Sequence, residues 1–227
     1  MASPCVEEIP GLMDESAPPT NRETSPAPLP PVAASRYAVF LMVAGLACLL
    51  DLVTKSWVFS WDGKLTGHVD WLWPGYVGIQ TSLNEGALFG MGQGQVFWFA
   101  ALSCLAVVAI PLWLFAWRAA HDWTVTLCLG FVMGGVLGNL YDRLGMPGEL
   151  WPGYHPHAGE TVYAVRDWIL LQLSDAWRWP NFNLADSFLV VGALVLMLRA
   201  FTEPAPRDAA LRESETTQEG PAHSGRS

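Results

Sequence analysis

Hydrophobic residues are concentrated in four long runs along the chain. An α-helix needs about 20 residues to cross the hydrocarbon core of a bilayer, and each run is close to that length. The runs are rich in Leu and Ala and lack the two-residue alternation of barrel strands, which favours helices. They are residues 37–59, 96–117 (with Pro111 as an expected kink), 123–144 and 182–201. The pattern predicts an all-α integral membrane protein with four transmembrane helices.

The links between these runs differ in length. Residues 118–122 form a short link, whereas residues 60–95 and 145–181 are much longer. Glycine, aromatic and β-branched residues crowd the first long link and predict a small β-like segment on the membrane surface. In the second, residues 168–173 predict an interfacial helix. With four crossings, both long links lie on one side of the membrane and both termini on the other.

Polar segments flank the membrane region. Residues 1–35 are rich in Pro, Ala, Ser and Glu, and residues 203–227 are polar. Such compositions predict disordered tails on either side of a membrane domain at residues 36–202. Lys and Arg favour the cytoplasmic side of a membrane. The distribution of Arg predicts cytoplasmic tails and extracytoplasmic long loops.

Composition agrees with a membrane protein and limits its partners. Of 227 residues, 52% are hydrophobic and 15% are charged, against about 25% charged residues in soluble domains. Much of the net charge of −9 comes from the tails, and no basic stripe indicates nucleic-acid binding. The four cysteines show no metal-ligand spacing, so we expect neither a disulfide framework nor a metal site. We expect a monomer in contact with membrane lipid.

Charged residues occur inside the first predicted helix, where they are costly and indicate function by default. Asp51 and Lys55 are four residues apart and share one helix face. The simplest interpretation is a structural ion pair that fixes the orientation of the helix.

The third predicted helix carries polar residues and glycines near its end. Asn139 and Asp142 share one face, and Gly134 and Gly138 permit close approach of another helix. Arg143 follows Asp142 directly, so we expect it to keep that carboxylate anionic. Packing and charge pairing are an equally good interpretation of this group.

Asp186 lies at the start of the fourth run, on the same face as Asn183 and with no cation within four residues. A carboxylate in low-dielectric surroundings has a raised pKa, and two that share such a site divide into an acid and a base. Such a pair can activate water to attack an amide. Candidates for the second carboxylate are Asp142, Asp167 and Asp175. Spacing alone does not choose among them, but Asp167 is favoured because a surface segment meets the membrane there.

Two other classes of function use four membrane helices with carboxylates. An ion or proton transporter would use Asp51, Asp142 and Asp186 as a relay. No internal repeat of the kind common in transporters is apparent, and the carboxylates lie towards one end of the helices. A non-enzymatic scaffold gives no reason for the position of Asp186.

Five short motifs occur along the chain in a characteristic order. They are Asp51-Leu-Val-Thr-Lys55, Asn84-Glu-Gly-Ala-Leu-Phe89, Gly134-Gly-Val-Leu-Gly-Asn-Leu-Tyr-Asp-Arg143, Val165-Arg-Asp-Trp-Ile169 and Phe182-Asn-Leu-Ala-Asp-Ser187. Together they resemble the lipoprotein signal peptidases (signal peptidase II), a family of four-helix aspartyl proteases of the bacterial inner membrane. The resemblance covers about residues 37–201.

The resemblance implies a function and a set of roles. The implied substrate is a prolipoprotein whose cysteine carries diacylglycerol, cut just before that cysteine without a metal or other cofactor. Asp167 and Asp186 would form the catalytic dyad, and Asn84 and Arg143 would hold the substrate. The residues that would support the site by hydrogen bonding are Gly86, Asn139, Asp142 and Asn183.

The chain departs from the family pattern in two places. Leu88 stands where the family usually has Ala. The stretch from Arg143 to Asp167 is longer than usual, and residues 146–164 make up the excess. We expect this insertion to form an extra loop over the site that affects access rather than chemistry.

Overall fold

The computed structural model describes residues 30–61, 65–86, 92, 94–174 and 176–202. The predicted tail at 203–227 and most of the one at 1–35 lie outside the described residues, as do Leu88 and Asp175. The described residues from Pro31 to Thr202 belong to one compact unit.

Within the described part of the chain, four helices are long and apolar enough to cross a membrane, as the hydrophobic pattern predicts. They are α1 (Ala34–Phe59), α2 (Val96–Pro111), α3 (Trp123–Arg143) and α4 (Leu184–Thr202). The second span continues beyond Pro111 as a π-helical turn, Leu112–Ala116. The helix therefore changes its hydrogen bonding at the predicted kink, because proline has no N–H to donate.

Helix α3 is central to the packing. More than half of its apolar stretch is buried, whereas less than a quarter of the apolar stretch is buried in each of the other three spans. Its glycines allow this, as the sequence predicts for Gly134 and Gly138, and a Cβ on Gly138 would meet the Asp51 carboxylate of α1. A Cβ on Gly134 would lie 2.8 Å from the Ala44 carbonyl oxygen of α1, and one on Gly135 would lie 2.5 Å from the Ala185 carbonyl oxygen of α4. Both neighbours are backbone atoms, so a side chain at either position would push a helix away.

The two long links together form one antiparallel sheet. Its strands are β1 (Asp70–Trp73), β2 (Val77–Asn84), β3 (Val165–Ser174) and β4 (Trp177–Arg178), in the order β1-β2-β3-β4. The β2–β3 pairing joins the two links, with Ser82 opposite Asp167. Both links therefore lie at the same end of the helices, as four crossings require.

The predicted interfacial helix at residues 168–173 is wrong, because these residues lie within β3. A short apolar run fits a buried helix or a strand equally well. Pairing decides between them here: β3 pairs with β2 along one edge and with β4 along the other. The described residues thus form four membrane helices and a four-stranded sheet. The predicted all-α class is incomplete, because it has no place for this sheet.

Candidate active site

The first turn of α4 explains why an acid stands at the start of an apolar helix. Asn183 precedes the helix, and its Oδ1 accepts a hydrogen bond of 3.0 Å from the Asp186 N–H. The Asp186 carboxylate accepts one of 3.3 Å from the Asn183 N–H in return. This reciprocal arrangement is a capping box, and the helix dipole favours a negative charge at this end. Asp186 is therefore fixed by the helix start that it helps to form.

Strand β3 brings Asp167 to the same place. Its side chain is buried, and its two carboxylate oxygens accept from the Asn183 amide at 2.7 Å and from the Asn84 amide at 3.0 Å. Asn183 therefore bonds both Asp167 and Asp186. The structure brings together the two carboxylates that the sequence favoured.

The surroundings of Asp167 change its protonation. Burial and then the negative charge of Asp186 raise the pKa of Asp167 to about 7, against hydrogen bonds from Asn84 and Asn183 that lower it. A carboxyl group with such a pKa holds its proton for much of the time at neutral pH. One acid and one carboxylate can therefore coexist at this site.

Lys55 is at the centre of a buried polar cluster between α1 and α3. Its ammonium lies 2.7 Å from Asp51 and 3.1 Å from Asp142, and all three side chains are fully buried. It also donates a hydrogen bond of 2.8 Å to Oδ1 of Asn139. The amide nitrogen of Asn139 donates in turn to Asp186 at 2.9 Å. The predicted Asp51–Lys55 pair is therefore present, and it extends to Asp186 through one amide.

Asp142 is held by different cations from the one expected. Besides Lys55, its partner is Arg166, whose guanidinium donates at 2.9 and 3.0 Å and whose backbone N–H donates at 3.1 Å. The sequence predicts that the adjacent Arg143 keeps Asp142 anionic, but in the structure the ion pairs of Asp142 are with Lys55 and Arg166. Because Arg166 precedes Asp167, Asp142 fixes the position of β3 next to the dyad.

Asp51 also reaches α4. Its Oδ1 accepts a hydrogen bond of 3.0 Å from the backbone N–H of Ala185. That group is one of the unpaired donors in the first helical turn. Asp51 therefore ties α1 to the helix start that carries Asp186.

The two predicted substrate-binding residues are linked to each other. The Arg143 guanidinium donates to the Gly86 carbonyl oxygen at 3.1 Å, and the Gly86 N–H donates to Oδ1 of Asn84 at 2.9 Å. Asn84 donates onward to Asp167. These residues therefore form one continuous hydrogen-bonded path to the dyad.

Sequence reasoning missed Arg166 and the contact of Lys55 with Asn139. The signal for Arg166 is a cation directly before Asp167 at the start of an otherwise apolar run. Among the described residues, no group of three or more His, Cys, Asp or Glu side chains could hold a metal ion. The chemically notable feature of the cluster is a pair of carboxylates, Asp167 and Asp186, that are both hydrogen-bonded to Asn183.

Comparisons with known proteins agree with the fold. Residues 43–202 match the family model described as signal peptidase (SPase) II. The chain is 47% identical over 169 residues to the lipoprotein signal peptidase of Rhodopirellula baltica, with 74% of each chain covered. It is 34% identical over 175 residues to that of Pseudomonas aeruginosa, covering 75% of this chain and 92% of the relative.

A solved structure of a bacterial membrane enzyme has a similar fold. The TM-score is 0.58 and the sequence identity is 20%, with 82% of this chain and 95% of the other covered. At that identity the likeness concerns the fold alone.

Proposed function

The chain belongs to the signal peptidase II family, and we propose that Asp167 and Asp186 are its catalytic pair. The protein is a membrane peptidase that removes signal peptides from prolipoproteins. The proposal makes it an aspartic endopeptidase. It rests on one observation: Asn183 bonds both carboxylates, next to a buried Asp167 whose pKa is raised to about 7.

The two carboxylates would take different roles at neutral pH. Asp167 holds the proton, and Asp186 is the anion, at a helix N-terminus and bonded by Asn139. Asp186 removes a proton from water, whose oxygen attacks the scissile carbonyl carbon, while Asp167 protonates the carbonyl oxygen. The tetrahedral intermediate then collapses. Its hydroxyl proton returns to Asp167, the proton on Asp186 passes to the leaving nitrogen, and the carbon–nitrogen bond breaks.

The substrate would be a prolipoprotein whose cysteine already carries diacylglycerol, cut just before that cysteine. The position of the dyad supports this, since Asp186 lies at the N-terminal end of the apolar helix α4, next to the sheet that carries Asp167. Signal helix and acyl chains can then reach the site laterally while remaining in the bilayer. Asn84 and Arg143 would hold the substrate near Asp167, and Gly86, Asn139, Asp142 and Asn183 would support the site.

We place the chain in the bacterial inner membrane and orient it by its cationic residues. Lys and Arg favour the cytoplasmic side of a membrane, and the side of the two termini carries more Arg than the side of the long links. The sheet and both long links would therefore be extracytoplasmic, and both termini cytoplasmic. We expect the protein to act as a monomer surrounded by lipid. The transporter alternative has no support from the relatives, which carry the name of a peptidase.

The test is cleavage by purified protein in detergent. The substrate is a synthetic prolipoprotein segment with diacylglycerol on its cysteine, and the control is the same peptide without lipid. We expect wild type to cut the lipidated peptide before the cysteine, and Asp167→Asn and Asp186→Asn to be inactive although folded. Retained cleavage in either variant would remove that residue from the pair.

A further inference from the structure

The segment at residues 146–164 forms a closed loop of its own. Leu150 and Thr161 form an antiparallel bridge, and the Trp151 and Glu160 backbones are joined by a hydrogen bond of 3.0 Å. Within the loop, the rings of Trp151 and His155 stack 3.9 Å apart. The loop is therefore held at its base and can present side chains in fixed positions.

One face of this loop borders a cavity next to the active site. The cavity has a volume of about 850 Å³, within the range typical of ligand sites. Its walls include Phe97 from α2, Trp151, Glu160 and Tyr163 from the loop and its end, and Glu85 and Arg143.

A second cavity of about 360 Å³ shares Trp151 and Glu85 with the first and reaches Ser82 of β2. Ser82 pairs with Asp167 across the sheet. The tyrosine hydroxyl of Tyr154, which also lines the second cavity, donates to the Leu65 carbonyl oxygen and ties the loop to the first long link. The two cavities therefore adjoin at Trp151 and Glu85, and together they are hereafter called the loop groove.

The loop groove is coupled to the dyad through Arg143. This residue lines the groove and begins the path of three hydrogen bonds through Gly86 and Asn84 to Asp167, at 3.1, 2.9 and 3.0 Å. A group bound in the groove therefore lies beside residues that we propose hold the substrate.

The path of the substrate decides which part reaches the groove; this step rests on the proposed function. The signal helix and the acyl chains stay in the bilayer, whereas the residues after the cysteine leave it on the side of the long links. The loop groove is built from those links, with the first turn of α2. Its position therefore suits the start of the mature polypeptide, in an extended conformation.

Charge then selects among such polypeptides. Glu85 and Glu160 contribute two carboxylates to the wall of the larger cavity, and the guanidinium of Arg143 offsets one of them, which leaves the wall net negative. The Glu160 carboxylate lies 3.3 Å from Nδ1 of His157. The rings of Trp151 and Tyr163 can add cation–π contacts. We propose that the loop groove binds the first residues after the cleavage site and prefers Lys or Arg there over Asp or Glu.

The experiment compares two lipidated peptides that differ only at the two positions after the cysteine, Lys-Lys in one and Glu-Glu in the other. The ratio of their kcat/KM values is measured for the full chain in detergent at low salt. We expect wild type to prefer the Lys peptide. Glu85→Gln and Glu160→Gln should each reduce the ratio about two- to five-fold, mainly through KM. Glu149→Gln is the matched control, in the same loop but outside the cavity walls, and should leave the ratio unchanged.

Three results separate this proposal from the proposed function. An unchanged ratio in both groove variants, with cleavage intact, overturns the peptide site and leaves the peptidase assignment standing. If the Glu85 and Glu160 variants instead change the preference for acyl length and leave the ratio of the two peptides unchanged, the groove binds lipid. That result also overturns the peptide site. Failure of wild type to cleave either peptide overturns the proposed function, and with it this inference.

Discussion

Replacing Lys55 with Met tests how the buried cluster supports the site. The ammonium lies 2.7 Å from Asp51 and 3.1 Å from Asp142, with all three side chains fully buried. Arg166 still pairs with Asp142 after the change, so one carboxylate is left without a counter-charge. Breaking a buried pair from one side costs about 3–5 kcal/mol. We expect Lys55→Met to lower the free energy of unfolding by about that amount.

A double variant separates stability from activity. Asp51→Asn with Lys55→Met removes both charges, and an amide oxygen at position 51 can still accept from the Ala185 N–H. Removal of a whole buried pair is often nearly neutral, so we expect much of the lost stability to return. Activity should stay low, because Oδ1 of Asn139 then keeps only the longer hydrogen bond from the Asn183 amide, at 3.2 Å, to hold it away from Asp186. Loss of a hydrogen bond to a charged group, about 1.5–3 kcal/mol, corresponds to about a 10- to 100-fold lower kcat.

Thermal unfolding in detergent and cleavage of a lipidated peptide are measured on the same preparations. A Lys55→Met variant as stable as wild type would refute the argument from buried charge. A double variant that cleaves at the wild-type rate would refute the role of Lys55 in orienting Asn139.

Three further predictions concern the dyad and its support. Asp167→Asn or Asp186→Asn should reduce kcat by about 100- to 10,000-fold, the range of general acid–base catalysis, in protein that still folds. Because the pKa of Asp167 is raised from 3.8 to about 7, the folded protein binds more protons than the unfolded chain in that range. Stability should therefore fall as pH rises from about 4 to 7 and level off above, and kcat/KM should decline above about pH 7. A wild-type pH profile of unfolding identical to that of Asp167→Asn would contradict this. Gly135→Ala should destabilise the protein by about 1–3 kcal/mol and slow cleavage, because the new methyl group meets the Ala185 carbonyl oxygen. Gly45→Ala, with open space around its Cβ, is the matched control and should keep both properties.

The helices could be predicted from sequence because a bilayer imposes their length. The first predicted run, 37–59, becomes Ala34–Phe59, and the last, 182–201, becomes Leu184–Thr202. The differences lie at helix ends, and at the start of α4 a side-chain cap rather than hydropathy sets the end. Asn183 and Asp186 set such an end, and their spacing of three residues was visible in the sequence.

The strand β3 could not be predicted from the local sequence. Apart from Gln172, residues 168–173 are apolar on both faces, so their periodicity does not distinguish a helix from a strand. They form a strand because β2 lies alongside, a contact between residues about 90 positions apart in places, such as Val77 with Leu171. The pairing of Arg166 with Asp142 depends on the same register, which is why it could not be read from spacing.

The side-chain amides of the three asparagines in the site are oriented in the same way, by a donor that faces the oxygen. The Oδ1 of each faces a group that can donate but not accept. These groups are the Gly86 N–H for Asn84, the Lys55 ammonium for Asn139 and the Asp186 N–H for Asn183. The oxygen and the nitrogen of a side-chain amide point in different directions. With the oxygen fixed in this way, the NH₂ group of each asparagine points towards Asp167 or Asp186.

Those three NH₂ groups all donate to the dyad: Asn84 and Asn183 to Asp167, and Asn139 to Asp186. Burial raises the pKa of Asp167, and the donated hydrogen bonds lower it. Each effect alone would fix one protonation state, since burial favours the neutral acid and donors favour the anion. Their opposition holds the pKa near 7, where Asp167 can both give up a proton and take it back. The orientation of the amides, set by Lys55 and two backbone N–H groups, is therefore part of the proposed acid–base chemistry.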